Sequence, residues 1–181
     1  MLVAFIAAAP MLVGYALFFN FNTQLTLTQI LTGAVFAAFF EELYYRGILF
    51  GQLFRYTKLG FIPAIAVGAV LFAVVHLWQS QDPAVLIGVF FATFFGAILF
   101  AWLYAEWHNN LWVPIGLHFF MNLWWMVFNV ADTAAGNNMA NLFRVITIAV
   151  AIIGTIVYKR RKRLPLAVNR NTLLLNKAKR K

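Results

Sequence analysis

Residues 84–104 read AVLIGVFFATFFGAILFAWLY, a run of 21 residues without a charged side chain. A helix needs about 20 mostly apolar residues to cross a bilayer, so this stretch predicts a transmembrane helix. The whole chain has the same character, because 64% of its 181 residues are hydrophobic and 10% are charged. Ordinary globular domains contain about 25% charged residues. The sequence therefore predicts an all-α integral membrane protein.

Five further apolar runs complete a predicted bundle of six transmembrane helices. The predicted spans are Leu2–Phe19, Leu27–Phe54, Phe61–Trp78, Ala84–Tyr104, Leu111–Val130 and Asn141–Tyr158. Asp82 and Pro83 are typical of an N-cap and a first helical position, so they start the fourth helix. The length allows one compact unit rather than several domains. We therefore expect one transmembrane bundle over residues 1–158.

Basic residues are concentrated after the last predicted helix. Ten of the fourteen Lys and Arg residues lie from Lys159 onward, in a stretch without any acidic residue. A basic segment beside an apolar helix usually faces the cytoplasm and anionic headgroups. We therefore expect residues 159–181 to form a cytoplasmic tail that lies on the membrane or is disordered. Its partner is expected to be the lipid bilayer rather than nucleic acid. The loop containing Glu106 is an exception, since it shares that face without a Lys or Arg.

Several hydrolytic chemistries lack their residues in this chain. It contains no cysteine, which excludes disulfides, thiolate metal sites and cysteine nucleophiles. Its only serine, Ser80, lies in a loop and outside a Gly-x-Ser-x-Gly context. Its only aspartates, Asp82 and Asp132, also lie in predicted loops. Serine-type and aspartyl-type intramembrane sites are therefore disfavoured.

Two adjacent glutamates, Glu41 and Glu42, lie in the middle of the second predicted helix. Each charge at the bilayer centre costs about 2.5–3.5 kcal/mol, so such residues usually face the bundle interior and have a function. Arg46 lies one helical turn after Glu42 and is predicted to pair with it. Glu41 is then free to transfer protons. The alternative is a purely structural ion-pair cluster of the three residues.

Polar residues interrupt two more predicted helices. Phe72 lies four residues before His76, and His118 lies four residues before Asn122. Glu41 and His76 lie at similar distances from the turn between helices two and three, so an antiparallel pair brings them level. A single buried histidine is more often a hydrogen-bonded core residue. Two of them beside two glutamates indicate one site formed by Glu41, His76, His118 and Asn122.

This set of side chains can activate a water molecule in two ways. A zinc ion would take His76, His118 and Glu41 as ligands and keep an open position for water. Without a metal, Glu41 and His76 would deprotonate the water while His118 and Asn122 stabilise an oxyanion. The residues alone leave both mechanisms open.

The three motifs Glu41-Glu42-x-x-x-Arg46, Phe72-x-x-x-His76 and His118-x-x-x-Asn122 resemble the signature motifs of a known family. This is the CPBP family of CAAX-protease and bacteriocin-processing intramembrane proteases, also called the Abi family. The resemblance covers about residues 36–125 and implies a four-helix core around a membrane-embedded cavity. It implies that Glu41, His76 and His118 are catalytic, and that Glu42, Arg46 and Asn122 occupy supporting motif positions of the same site.

The resemblance also implies a partner and a location. Eukaryotic members remove the C-terminal tripeptide of prenylated proteins, and prokaryotic members are linked to peptide maturation and bacteriocin immunity. We therefore expect a peptide or protein substrate, with or without an attached lipid, and a prokaryotic cell membrane as the location. Two other function classes stay open. Glu/His chains also relay protons in small transporters, and an immunity or adaptor protein could keep the site without using it.

Overall fold

The computed structural model describes residues 1–176 and shows six helices in this range. They are α1 (Leu2–Phe18), α2 (27–56), α3 (Phe61–Val74), α4 (Pro83–Glu106), α5 (Trp112–Val127) and α6 (Asn138–Arg161). No β-strand occurs among these residues, and a short 3₁₀ turn, Leu77–Gln79, follows α3. The predicted all-α helical bundle is confirmed.

Three stretches are long and apolar enough to cross a membrane by length and composition. They are Phe61–Gln79, Pro83–Glu106 and Asn138–Arg161, whereas the apolar helix Leu2–Phe18 is shorter. Helix α4 presents Ile87, Phe91 and Phe95 outward, with 50–60% of each residue exposed. Residues four apart share one helix face, so these side chains form an apolar stripe. Such a stripe suits contact with lipid.

Helix α2 is continuous, but its hydrogen-bonding pattern changes along its length. It begins at Leu27 behind the N-cap Thr26, whose side chain and that of Gln29 form a reciprocal capping box. Two stretches, Leu31–Phe36 and Glu42–Phe50, have the wider π-helical turn. Departures of this kind from α-helical geometry are frequent at functional sites. The second one begins at Glu42, where the sequence places the candidate site.

Aromatic side chains join α2, α3 and α4 at one end of the bundle. Phe50 stacks on Phe54 and contacts Phe61 and Tyr104 edge to face, with ring centroids 5.2–6.1 Å apart. All four residues are buried. Gly51 belongs to the same region, because a Cβ at this position would lie 3.1 Å from the Tyr104 hydroxyl. Close packing therefore fixes α2 against α4.

The loops divide between two ends of the bundle. At the end that we call the cavity end, residues 75–82 and 128–137 meet, because the Ala134 amide donates to Oε1 of Gln79. The loop from α1 reaches the same end, where the Asn22 amide donates to the Val127 carbonyl. At the opposite end, which we call the tail end, lie residues 57–60, 107–111 and the segment after α6. The connections α1–α2, α3–α4 and α5–α6 therefore share one end.

The segment after α6 packs on the tail end. Lys159 donates a hydrogen bond to the buried Glu106 carboxylate, which also accepts from the backbone amides of Ala167 and Val168. Residues 172–174 accept backbone hydrogen bonds from residues 60–62. The expectation of a disordered tail is wrong for residues 162–176, whereas contact of this segment with the membrane surface stays a prediction. Residues 177–181 lie outside the described range. Glu106 carries no exposed charge, because Lys159 pairs with it.

Candidate active site

A cavity of about 660 Å³ extends from the middle of the bundle toward the cavity end. It is lined by the four residues that the sequence predicted to converge: Glu41, His76, His118 and Asn122. Phe72, Phe100 and Gly96 contribute apolar wall. The predicted convergence is therefore observed, whereas the chemical role of each side chain stays a prediction. His76 is not inside a helix as predicted, because α3 ends at Val74 and His76 lies in the turn that follows.

A chain of ionic contacts joins α2 to α5. Nη1 of Arg46 lies 3.0 Å from Oε1 of Glu42, one helical turn away, as the sequence predicted. The same Glu42 oxygen lies 2.8 Å from Nδ1 of His118. Glu42 and Arg46 are completely buried, and 7% of His118 is exposed. Glu42 thus contacts two partners, of which sequence spacing identified one.

Arg46 lies between two aromatic rings. Its guanidinium carbon is 4.6 Å from the centroid of Phe72 and 5.2 Å from that of Phe100. No nitrogen of this guanidinium has a hydrogen-bond partner among residues 1–176, so its contact with Glu42 is ionic. Desolvated cation–π contacts are worth about 2 kcal/mol. The rings therefore supply contacts that a buried guanidinium otherwise receives from hydrogen bonds.

The second ring nitrogen of His118 faces Glu41. Nε2 lies 3.9 Å from Oε2 of Glu41, too far for a direct hydrogen bond. Glu41 is the more accessible carboxylate, with 29% of its side chain exposed, whereas Glu42 is completely buried. Phe100 stacks on the His118 ring at a centroid distance of 5.0 Å. Glu42 and Phe100 together fix the orientation of His118.

Backbone carbonyls fix the other two predicted residues. Nδ1 of His76 lies 2.6 Å from the Phe72 carbonyl, and the two rings are 4.5 Å apart. A carbonyl can only accept, so Nδ1 carries a proton and a neutral His76 has its lone pair on Nε2. Nδ2 of Asn122 donates to the Gly33 carbonyl at 3.0 Å, which leaves its second N–H uncommitted by this bond. Both side chains therefore have restricted orientations.

The predicted zinc ligands are incompletely assembled. Glu41 and His118 approach each other, and His76 lines the same cavity. Among residues 1–176, however, no three His, Cys, Asp or Glu side chains are placed together as ligands for a metal ion. The side chains as placed do not fit a three-ligand zinc site, because no third ligand joins Glu41 and His118 within this range. Zinc binding stays a prediction.

Several cavity residues escaped the sequence analysis. Phe100 and Gly33 look like ordinary membrane-helix residues, and nothing in the sequence separates them from their neighbours. Asp132 and Arg144 also line the cavity. Arg144 could have been found as the one basic residue inside the sixth apolar run. His108 lies in the loop at the tail end with a positive φ of 58° and is not part of this site.

Comparisons with known proteins agree with the geometry. The family described as Type II CAAX prenyl endopeptidase Rce1-like matches residues 23–124. That range includes Glu41, Glu42, Arg46, His76 and His118, together with Asn122. No curated protein and no solved structure gives a significant match to the chain.

Proposed function

Since this chain belongs to the Type II CAAX prenyl endopeptidase Rce1-like family, we propose that it is an intramembrane endopeptidase in which Glu41 and His118 activate the attacking water. Family membership supports the peptidase activity. The observation that carries the choice of residues is the placement of both side chains in one cavity, with Oε2 of Glu41 and Nε2 of His118 separated by 3.9 Å.

A water molecule fits this arrangement chemically. Oε1 of Glu42, which lies 3.0 Å from Nη1 of Arg46, accepts the hydrogen bond from Nδ1 of His118. A neutral His118 then has its lone pair on Nε2, beside the Oε2 acceptor of Glu41. One water can donate one hydrogen to each acceptor and keep its lone pairs free for attack on a carbonyl carbon. A single bridging water is within the reach that general-base catalysis requires.

Hydrolysis then follows with Glu41 as the base. The water oxygen bonds to the peptide carbonyl carbon while one of its protons moves to Oε2 of Glu41. The resulting oxyanion can accept the second N–H of Asn122, since the first is held by the Gly33 carbonyl. The C–N bond breaks as the proton from Glu41 passes to the leaving nitrogen, either directly or through His76. The products are a carboxylic acid and an amine, and Glu41 returns to its ionised form.

Glu42 and Arg46 have a positioning role in this proposal. Both are completely buried, and both act on the reaction through the orientation and tautomer of His118. A hydrogen bond from a ring nitrogen to a carboxylate is the usual way in which proteins select an imidazole tautomer. This division of roles matches the difference in exposure between Glu42 and Glu41.

The proposed substrate is a peptide with an attached lipid. The cavity lies within an apolar helical bundle. Its lining includes apolar side chains beside the polar residues, namely Met11, Leu99 and Ile148. An apolar wall of this kind suits a prenyl chain or aliphatic side chains. We propose a prokaryotic cell membrane as the location, on the grounds of the family resemblance and the apolar helices.

Zinc is the cofactor that the sequence proposes for this site. Glu41 and His118 are the two side chains that approach each other, and His76 would have to move to become a third ligand. Metal analysis of the purified protein tests this. One zinc ion per chain in the parent, lost in His118→Ala, supports zinc, whereas a zinc-free and active protein contradicts it.

The decisive experiment is peptide cleavage by the purified protein in detergent, followed by mass spectrometry. A suitable substrate is a fluorescent peptide with a farnesylated cysteine near its C-terminus. Glu41→Gln should lower kcat/KM by roughly 10²–10⁴-fold, the usual contribution of a general base. The matched control is Asp82→Asn, which removes a carboxylate at the same end but outside the cavity and keeps an N-cap residue. Equal cleavage by parent and Glu41→Gln would contradict the assignment, and ion flux without cleavage would indicate a transporter.

A further inference from the structure

Among the lysines and arginines of residues 1–176, Arg144 alone lines the cavity. It lies in α6, outside residues 23–124 that the family match covers. The other titratable groups that line the cavity are Glu41, Asp132 and the two histidines. A cation inside a membrane-embedded cavity is costly and usually serves a function. Arg144 therefore needs an explanation that the catalytic residues do not supply.

The guanidinium of Arg144 is held in place without an acidic partner. Its Nη1 donates to the Ala134 carbonyl at 2.9 Å, and its central carbon lies 4.4 Å from the centroid of Trp125. Trp125 is itself fixed, because its indole N–H donates to the Ala131 carbonyl at 2.9 Å. Within residues 1–176 Arg144 forms no ion pair, not even with Asp132 of the same cavity.

This arrangement leaves binding capacity for an anion. An arginine has five N–H donors in a planar fork, and the Ala134 carbonyl takes one hydrogen bond. The fork geometry matches a carboxylate, which can accept two parallel hydrogen bonds. Contact with Trp125 and the hydrogen bond to Ala134 hold the guanidinium in advance, so little side-chain freedom is lost on binding. Fastening the loop 131–136 to α6 would by itself require only the bond to Ala134.

The separation along α5 between His118 and Trp125, the ring that Arg144 contacts, suits a short peptide. Trp125 follows His118 by seven residues in α5. At about 1.5 Å per residue this is roughly 10 Å along the helix axis. An extended peptide rises about 3.3 Å per residue, so about three residues span that distance.

Building on the proposed function, we propose that Arg144 binds the free C-terminal carboxylate of the peptide substrate. The bound carboxylate places the peptide bond about three residues upstream at Glu41 and His118. Arg144 is then a specificity residue, because it selects substrates that end inside the cavity and sets the length of the released fragment. A chain that continues past this point, or that ends in an amide, loses the ion pair with the guanidinium.

Two peptides that differ in one group test the proposal. Both carry a fluorophore and a farnesylated cysteine followed by about three aliphatic residues, and one ends in a carboxylate whereas the other ends in a carboxamide. The parent should cleave the carboxylate peptide with a kcat/KM roughly 10–100-fold higher, the range for a hydrogen bond to a charged group. Arg144→Gln keeps a donor for the Ala134 carbonyl but should remove this preference. Arg160→Gln, an exposed charge on the same helix at the tail end, should retain it.

A binding measurement separates this inference from the proposed function. The affinities of both peptides are measured by fluorescence anisotropy for the parent and for Arg144→Gln, whether or not cleavage occurs. If the parent binds the carboxylate peptide more tightly than the carboxamide peptide and Arg144→Gln does not, the result supports carboxylate binding by Arg144. This holds even if neither peptide is cleaved, and the absence of cleavage would contradict the proposed peptidase activity alone. Cleavage with the same carboxylate preference in Arg144→Gln, or with no preference in the parent, overturns the inference and leaves the activity standing. Arg144→Lys, which keeps the charge, should show an intermediate preference and reports on folding through its thermal stability.

Discussion

Nδ1 of His118 lies 2.8 Å from Oε1 of Glu42, so a residue in the middle of α2 fixes the orientation of an imidazole on α5. The same carboxylate is held by Arg46 from the other side at 3.0 Å. His118 can therefore direct Nε2 at the cavity only while the buried pair behind it is intact. Stability and activity are linked through Glu42, and this link can be tested by changing its two partners separately.

Arg46→Ala should strongly destabilise the protein. It removes the cation that neutralises Glu42 and leaves a completely buried carboxylate with His118 as its remaining partner. Breaking a buried ion pair by removing one partner costs about 3–5 kcal/mol. The loss should appear as a lower thermal unfolding temperature in detergent. A variant as stable as the parent would show that the pair does not stabilise the fold.

The double variant Glu42→Met/Arg46→Met should restore most of that stability without restoring activity. Replacing both members of a buried pair by neutral groups of similar volume is often neutral or stabilising, and Met keeps contact with Phe72 and Phe100. His118, however, loses the carboxylate that selects its tautomer. Thermal unfolding and peptide cleavage measured on the same samples separate the two effects. Restored cleavage would contradict the positioning role of Glu42.

Glu106→Gln should release the C-terminal segment from the tail end. The Glu106 carboxylate accepts from Lys159 and from two backbone amides of the segment, and a neutral amide cannot match these charge-assisted bonds. We expect proteolysis within residues 162–176 to become at least about tenfold faster. Lowering the free energy of local opening by about 1.4 kcal/mol raises the population of the cleavable, open segment tenfold. The matched control is Arg160→Gln, which removes an exposed charge nearby. Limited proteolysis with a nonspecific protease and mass spectrometry measures the rates.

Gly96→Leu should lower cleavage without lowering stability. Gly96 lines the cavity, and a Cβ at this position meets no atom within 4 Å. The added side chain therefore fills space that the substrate needs, rather than displacing packed atoms. Gly154→Leu is the control, because its Cβ also meets open space but lies outside the cavity lining. A Gly96→Leu variant with the KM and kcat of the parent would show that the substrate does not use this part of the cavity.

Local sequence signals predicted much of the fold. Apolar runs located all six helices, and Asp82 with Pro83 marked the start of α4, where the Asp82 side chain accepts from the Ala84 amide. The π-helical turns of α2 were not predicted, because sequence periodicity does not separate them from α-helical turns. The docking of residues 162–176 was missed for a different reason, since it depends on Glu106, which is 61 residues away from its partner Ala167.

In the candidate site, too, local spacing could be predicted from the sequence, whereas contacts between distant helices could not. The Glu42–Arg46 pair follows from spacing within one helix, and the matched level of Glu41 and His76 follows from their distances to the turn between two helices. That His118 joins them depends on the packing of α5 beside that hairpin, which the sequence permits but does not determine. The contact between His118 and Glu42 depends on the rotation of α5 about its axis, which no local pattern sets. Arg144 was missed because its function arises from Trp125 and from a loop that only the folded chain brings to it.

The cavity end should face away from the cytoplasm. Cavity-lining residues include Gln79 and Asp132 from the loops at that end, whereas Lys159 and the basic residues after it lie at the tail end. Cytoplasmic loops carry the excess of Lys and Arg, so the tail end is expected to be cytoplasmic. Glu106, the acidic exception at this end, is neutralised by Lys159 and does not oppose that orientation.

Ser80→Cys, in the loop between α3 and α4, tests this orientation in a chain that has no native cysteine. A membrane-impermeant maleimide should label it from outside intact cells, while a fluorescent reporter that matures only in the cytoplasm should light up at Lys181. The control is Lys58→Cys, which lies in the loop at the tail end and should be labelled only after the cells are permeabilised. Labelling of Lys58→Cys but not of Ser80→Cys in intact cells would invert the orientation. The substrate would then enter the cavity from the cytoplasm.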